Sequence, residues 1–117
     1  MQLLNSLFRV VDRRQEGEQM VFDVELCAEH LIYRAHFPGH PITPGVCVMQ
    51  MVCELAAEIV GHPVHMTGAK NVKFLAPIIP TATPRVTVRM TVEPTRIVAA
   101  VEGGEQVMAK LSLCHEA

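Results

Sequence analysis

Residues 44–60 read PGVCVMQMVCELAAEIV. Their spacing predicts a helix about 25 Å long. Thr43 offers a capping hydroxyl, Pro44 suits the first turn, and Gly61-His62-Pro63 ends the run. Nearly every position around the wheel is apolar or small. The exceptions are Gln50, Glu54 and Glu58, four apart on one narrow stripe. A helix apolar almost all round has to be buried almost all round. In a chain of 117 residues the element that buries it is a sheet curled around it.

The rest of the chain supplies that sheet. Val86, Val88, Met90 and Val92 alternate with Arg85, Thr87, Arg89 and Thr91, the period-two pattern of a strand with one buried face. Pro94-Thr95 turns the chain and residues 96–101 return. Gly103-Gly104 is read as a tight turn in which both glycines take positive φ, and Val107, Ala109, Leu111 and Leu113 mark the closing strand. Met20, Phe22, Val24 and Leu26 mark an earlier strand, residues 31–35 a short one after it, and Val72, Phe74 and Ala76 another. The expected class is α+β with a hot-dog arrangement, an antiparallel β-sheet wrapped around one long central helix, as a single domain over 1–117. The alternative is an α+β sandwich with the helix flat on one face.

Composition narrows the function. Half the residues are apolar and 19% are charged, which excludes a disordered chain. The net charge of −2 with no Lys/Arg run gives no case for nucleic acid. No stretch approaches a bilayer span, and residues 1–14 lack the pattern of a secretory leader. Cys27, Cys47, Cys53 and Cys114 are scattered, which is read as reduced thiols in a cytoplasmic protein. So much apolar surface on a short chain predicts an oligomer.

The densest chemical signal is His36-Phe37-Pro38-Gly39-His40-Pro41-Ile42-Thr43-Pro44-Gly45-Val46. Three prolines and two glycines make a rigid loop that delivers the chain into the helix start. There the amides of Gly45 and Val46 lack intrahelical acceptors and sit at the positive end of the dipole. Such a terminus can hold a carbonyl oxygen as negative charge develops on it. The imidazole of His36 has an ordinary titration range suited to proton transfer near neutrality. A polarising terminus beside an imidazole is what removal of a proton α to a thioester requires.

This loop and the helix after it resemble the β-hydroxyacyl-(acyl carrier protein) dehydratases of bacterial fatty-acid synthesis. Lys70-Asn71-Val72-Lys73-Phe74 with Pro77 and Pro80 resembles the strand and proline corner of that family, and Val10-Val11-Asp12-Arg13 its N-terminal strand. The resemblance implies a 3-hydroxyacyl thioester as substrate, on an acyl carrier protein or coenzyme A, losing water to give a trans-2-enoyl thioester. It implies His36 as base and the Gly45 N–H as donor to the thioester carbonyl. Phe37, Pro38, Gly39, Val46 and Met49 are the candidate substrate-lining positions. The assembly implied is a homodimer or a set of dimers, with no metal or redox cofactor and no membrane partner.

One position departs from the pattern. The family's acid, one turn into the helix, falls at Gln50, and its amide four residues later falls at Glu54. An amide does not titrate and cannot hand over a proton. Glu54 lies about 6 Å further along the same stripe and is carried as a candidate acid, against an alternative in which it pairs with a nearby cation or emerges at the interface. Two other readings stay open: a catalytically silent acyl-binding or partner subunit, and a thioesterase on the same scaffold with Glu54 as base.

Other residues carry less. His40 is read as a loop side chain at the pocket mouth, and His62 and His65 as part of a helix-terminating turn. Cys47 and Cys53 are read as packing thiols, with Cys47 the more reactive because it lies on the first turn. Lys70, Lys73, Arg85 and Arg89 are either solvated or a docking face for an acidic carrier.

Overall fold

The structure, a computed structural model, describes residues 2–35 and 39–116. Strand β1 (Phe8–Glu16) and β2 (Gln19–Leu26) form a hairpin, followed by α1 (Leu31–Ala35) and the long α2 (Gly45–Val60). Strands β3 (Met66–Phe74), β4 (Arg85–Val92), β5 (Arg96–Gly103) and β6 (Gln106–His115) complete one six-stranded antiparallel sheet. Its order is β1-β2-β4-β5-β6-β3, so the strand that follows α2 lies at the far edge. The hot-dog expectation holds: Phe22, Val24, Val86, Val88, Met90, Ile97, Val101, Leu111 and Leu113 from the sheet share one core with Cys47, Val48, Met51, Val52, Leu55 and Ala56 from the helix.

The sheet bends around the helix through irregularities in its ladder. Pairing shifts register between Val10 and Asp12 in β1, between Met66 and Gly68 and again between Ala69 and Asn71 in β3, and between Val101 and Glu102 where β5 meets β6. Each extra residue increases local twist and bends its strand.

Four expectations need correction. Residues 31–35 form a helical turn, not a strand. The Nδ1 of His30 accepts from the Ile32 N–H at 3.1 Å, and the Tyr33 ring is buried as the anchor. Five residues are too few to separate the two periods. Thr43 does not cap α2; the cap position is Pro44, with no side-chain cap hydrogen bond. Thr43 is turned inward, its hydroxyl 2.8 Å from that of Tyr33 and its N–H donating to the Ile78 carbonyl at 2.8 Å.

Nor is α2 buried all round: Val46 is 63% exposed, and Met49, Gln50, Glu54 and Ala57 are only half-buried. In the β5–β6 turn only Gly104 has positive φ, at +62°. Gly103 serves a different need, because a Cβ there would stand 2.9 Å from Thr83 Cγ2 and closer still to Met108 Sδ.

Candidate functional site

The start of α2 is shaped by backbone. The Pro44 carbonyl accepts from the N–H of Cys47 at 3.0 Å and of Val48 at 3.1 Å, so the amides of Gly45 and Val46 precede the helical ladder. Pro44 is extended (φ −60°, ψ 145°), which aims the incoming chain away from the helix axis. Gly45 is required by close approach: a Cβ there would lie 2.8 Å from Cε2 and Cζ of Phe74. A cavity of about 380 Å³ opens on this side, lined by Ile42, Pro44, Gly45, Val48, Phe74 and Ile78 among others.

A larger groove of about 700 Å³ runs along the half-buried face of α2. Val46, Met49, Gln50, Cys53, Glu54 and Ala57 form its floor, Gln2 and Leu4 one flank, and the turn from Gly61 to Met66 its far end. The polar stripe therefore faces the groove, with Glu58 at its outer end.

The Glu54 carboxylate is held by the N-terminal segment. Its Oε1 accepts from the N–H of Leu3 at 3.0 Å and of Leu4 at 2.7 Å. Its Oε2 accepts from the Leu3 N–H at 2.8 Å and from the Gln50 Nε2 at 2.9 Å. Both oxygens are thus committed as acceptors, and the amide of Gln50 donates to the acid four residues on. Its hydrogen-bond partners among the described residues are backbone amides and one side-chain amide.

The structure brings Val46, Met49, Gln50 and Glu54 to one groove and places Gly45 on the other, smaller cavity, which shares none of the described lining residues with it. Gly39 lies in an exposed turn with φ +77°, and His40 is exposed. His36, Phe37 and Pro38 lie outside the described residues. Cys47 is fully buried and burial pushes its thiol up, so the expectation of a reactive first-turn thiol is corrected: losing water costs the thiolate more than the helix end returns, and the sulfur is closed to reagents. Burial, with the charge of Glu54 beside it, pushes the Cys53 thiol up as well.

Arg85 and Arg89 are engaged with Glu25, Glu16 and Glu102. His62 and His65 stand at the far end of the groove, and no group of three metal-ligating side chains occurs among the described residues. Gln2 and Leu4 were missed as groove residues. No local pattern marks them, because their role depends on a partner about 50 residues away in the chain.

A family model described as ApeI-like, ApeI dehydratase, matches residues 12–111. The chain belongs to the ApeI-like dehydratase family. The 3-hydroxyacyl-(acyl-carrier-protein) dehydratase FabZ of Geobacter metallireducens is 29% identical over 85 residues, covering 62% of this chain and 57% of that protein. The match therefore spans little more than half of that relative's length. The FabZ of Ligilactobacillus salivarius is 26% identical over 118 residues, covering 88% of this chain and 84% of its own.

A solved structure described as the dehydratase heterocomplex ApeI:P from Xenorhabdus doucetiae superposes with a TM-score of 0.78 at 17% identity, over 92% of this chain and 96% of that one. The superposition establishes the hot-dog fold. No helix among the described residues is long and apolar enough to cross a membrane.

Proposed function

We propose that this protein acts on 3-hydroxyacyl thioesters, eliminating water to give the trans-2-enoyl thioester in fatty-acid or related lipid or polyketide synthesis. The observation that carries the reading is the start of α2, in a chain of the dehydratase family: two residues whose amides precede the helical ladder, Gly45 on the smaller cavity and Val46 on the groove. In this reading the Gly45 N–H receives the thioester oxygen as charge builds on it, and His36 removes the α-proton. The Cα–H and Cβ–O bonds break, the double bond forms, and the leaving hydroxyl needs one proton. Gln50 cannot supply it. The imidazolium formed at His36 is then the proton source within this chain. An acyl carrier protein presents the substrate, the chain works as a homodimer or an assembly of dimers, no cofactor takes part, and the reaction runs in the cytoplasm.

The test is hydration of an enoyl thioester by the purified protein, with His36→Ala as control. Gln50→Glu is expected to raise the rate at least about tenfold, within the range general acid catalysis supplies. An unchanged rate in a folded variant argues against Gln50 as the missing acid, and turnover that survives His36→Ala argues against the base.

One observation favours a second reading, a silent partner subunit that is completed by another chain: neither Gln50 nor the fully engaged Glu54 is a free proton donor. Activity appearing only after mixing with an acid-bearing dehydratase subunit would establish it. The thioesterase reading loses support for the same reason, since the oxygens of Glu54 already accept four N–H contacts.

A further inference from the structure

Glu54 reaches across the chain to the N-terminal segment, whose Gln2 and Leu4 line the groove. Gln2 and Leu4 face the groove while Leu3, between them, is buried at 2% exposure. The peptide groups around Leu3 are used in both directions. The N–H groups of Leu3 and Leu4 donate to Glu54, and the Leu3 carbonyl accepts from Ser6, Leu7 and Phe8 at 3.0, 2.8 and 3.3 Å. Leu7, fully buried, pins the other side of this turn.

The position of Leu4 beside α2 therefore depends on a carboxylate at position 54. Along the helix that carboxylate lies about 12 Å beyond Val46, at 1.5 Å per residue. It stands part-way down the groove rather than at its head.

We infer that Glu54 is a positioning residue: by clamping the Leu3 and Leu4 amides it fixes a wall of the groove, and that wall sets how long an acyl tail the groove accepts. The inference rests on the acyl-thioester reading above and adds what selects the substrate. It also gives a physical reason for a carboxylate at this position. An amide presents one oxygen and one NH2, so it keeps the Leu3 and Leu4 bonds only through its single uncharged oxygen, with its NH2 turned to a flipped Gln50 carboxamide. Only a carboxylate offers acceptors on both sides.

The experiment compares wild type, Glu54→Gln, Leu4→Ala and Leu4→Phe. Amide hydrogen exchange at Leu3 and Leu4 reads the clamp. Calorimetric binding of saturated acyl-pantetheine thioesters, from butanoyl to hexadecanoyl, reads the wall. Glu54→Gln is expected to speed exchange at both amides by about tenfold, the scale of one lost charge-assisted hydrogen bond. It should also shift the preferred tail to a longer one. Leu4→Ala should lengthen the preferred tail with exchange unchanged, and Leu4→Phe should shorten it, so the wall is tested even where Glu54→Gln fails to fold.

Unchanged exchange in a folded Glu54→Gln overturns the clamp. Affinities that fall by one factor at every length, or a preferred length unmoved in both Leu4 variants, overturn the wall. A wild type that binds no acyl thioester overturns the inference entirely. A wild type that binds them without turnover sinks the dehydratase reading alone.

Discussion

Cysteine accessibility separates residues that sequence spacing had grouped together. Cys47 and Cys53 lie on α2 beneath the sheet or the groove floor, and burial pushes both thiols up; Cys27 is exposed after β2. Cys47 is expected to be alkylated at least about a hundredfold more slowly than the exposed Cys27, because it must wait for an opening of the core. Mass spectrometry of timed iodoacetamide reactions checks this, and comparable rates at the two sites would overturn the burial argument. The same scale shows what a residue pattern reveals. The Gln50–Glu54–Glu58 stripe was legible because helical geometry makes residues four apart neighbours. The use of Glu54 was not, because its acceptors are claimed by Leu3 and Leu4, and no local rule connects position 54 to position 3.

At the scale of elements, α2 has two unlike faces. Leu55 is fully buried against the sheet, whereas Val46 is 63% exposed on the groove side. Leu55→Ala is expected to cost about 2–5 kcal/mol by lost transfer energy and a residual cavity, while Val46→Ala should change stability by no more than about 0.5 kcal/mol. Urea unfolding of the two variants checks the contrast. A loss at Val46 as large as at Leu55 would mean that the groove face is covered in solution. Alternation located β2, β4, β5 and β6 closely, because each has one face against the helix and one in solvent. It failed at residues 31–35, where five residues fit either period and a buried Tyr33 hydroxyl partnered by Thr43 decided the outcome.

Across the whole molecule, the sheet carries two groups of paired charges. Arg14 pairs with Asp12, Glu16 and Asp23, Arg89 with Glu16 and Glu102, and Arg9 and Arg85 with Glu25. The Thr87 hydroxyl and then Arg14 hold the Asp23 carboxyl below its ordinary range, Arg89 and Arg14 do the same for Glu16, and Arg9 leads for Glu25. A carboxyl lowered in the folded state adds stability that is present above its unfolded value, about 3.9 for Asp and 4.3 for Glu, and is lost as pH falls through the folded value. Urea midpoints should therefore be flat from about pH 7 to 5 and decline below about pH 4. Asp23→Asn should shrink that decline and added salt should weaken it, because these pairs are partly solvated. Midpoints that hold to about pH 3 would overturn the assignment.

Sequence by itself determined the long apolar helix, the alternating strands that cover it, and the loop that enters the helix at Gly45, because each depends on local periodicity and on proline and glycine geometry. Tertiary structure alone decided the strand order with β3 at the far edge, the bulges that curl the sheet, and the union of Glu54 with the N-terminal amides. Those features join residues far apart in the chain. Their energies come from pairing and burial that exist only once the sheet has closed around the helix.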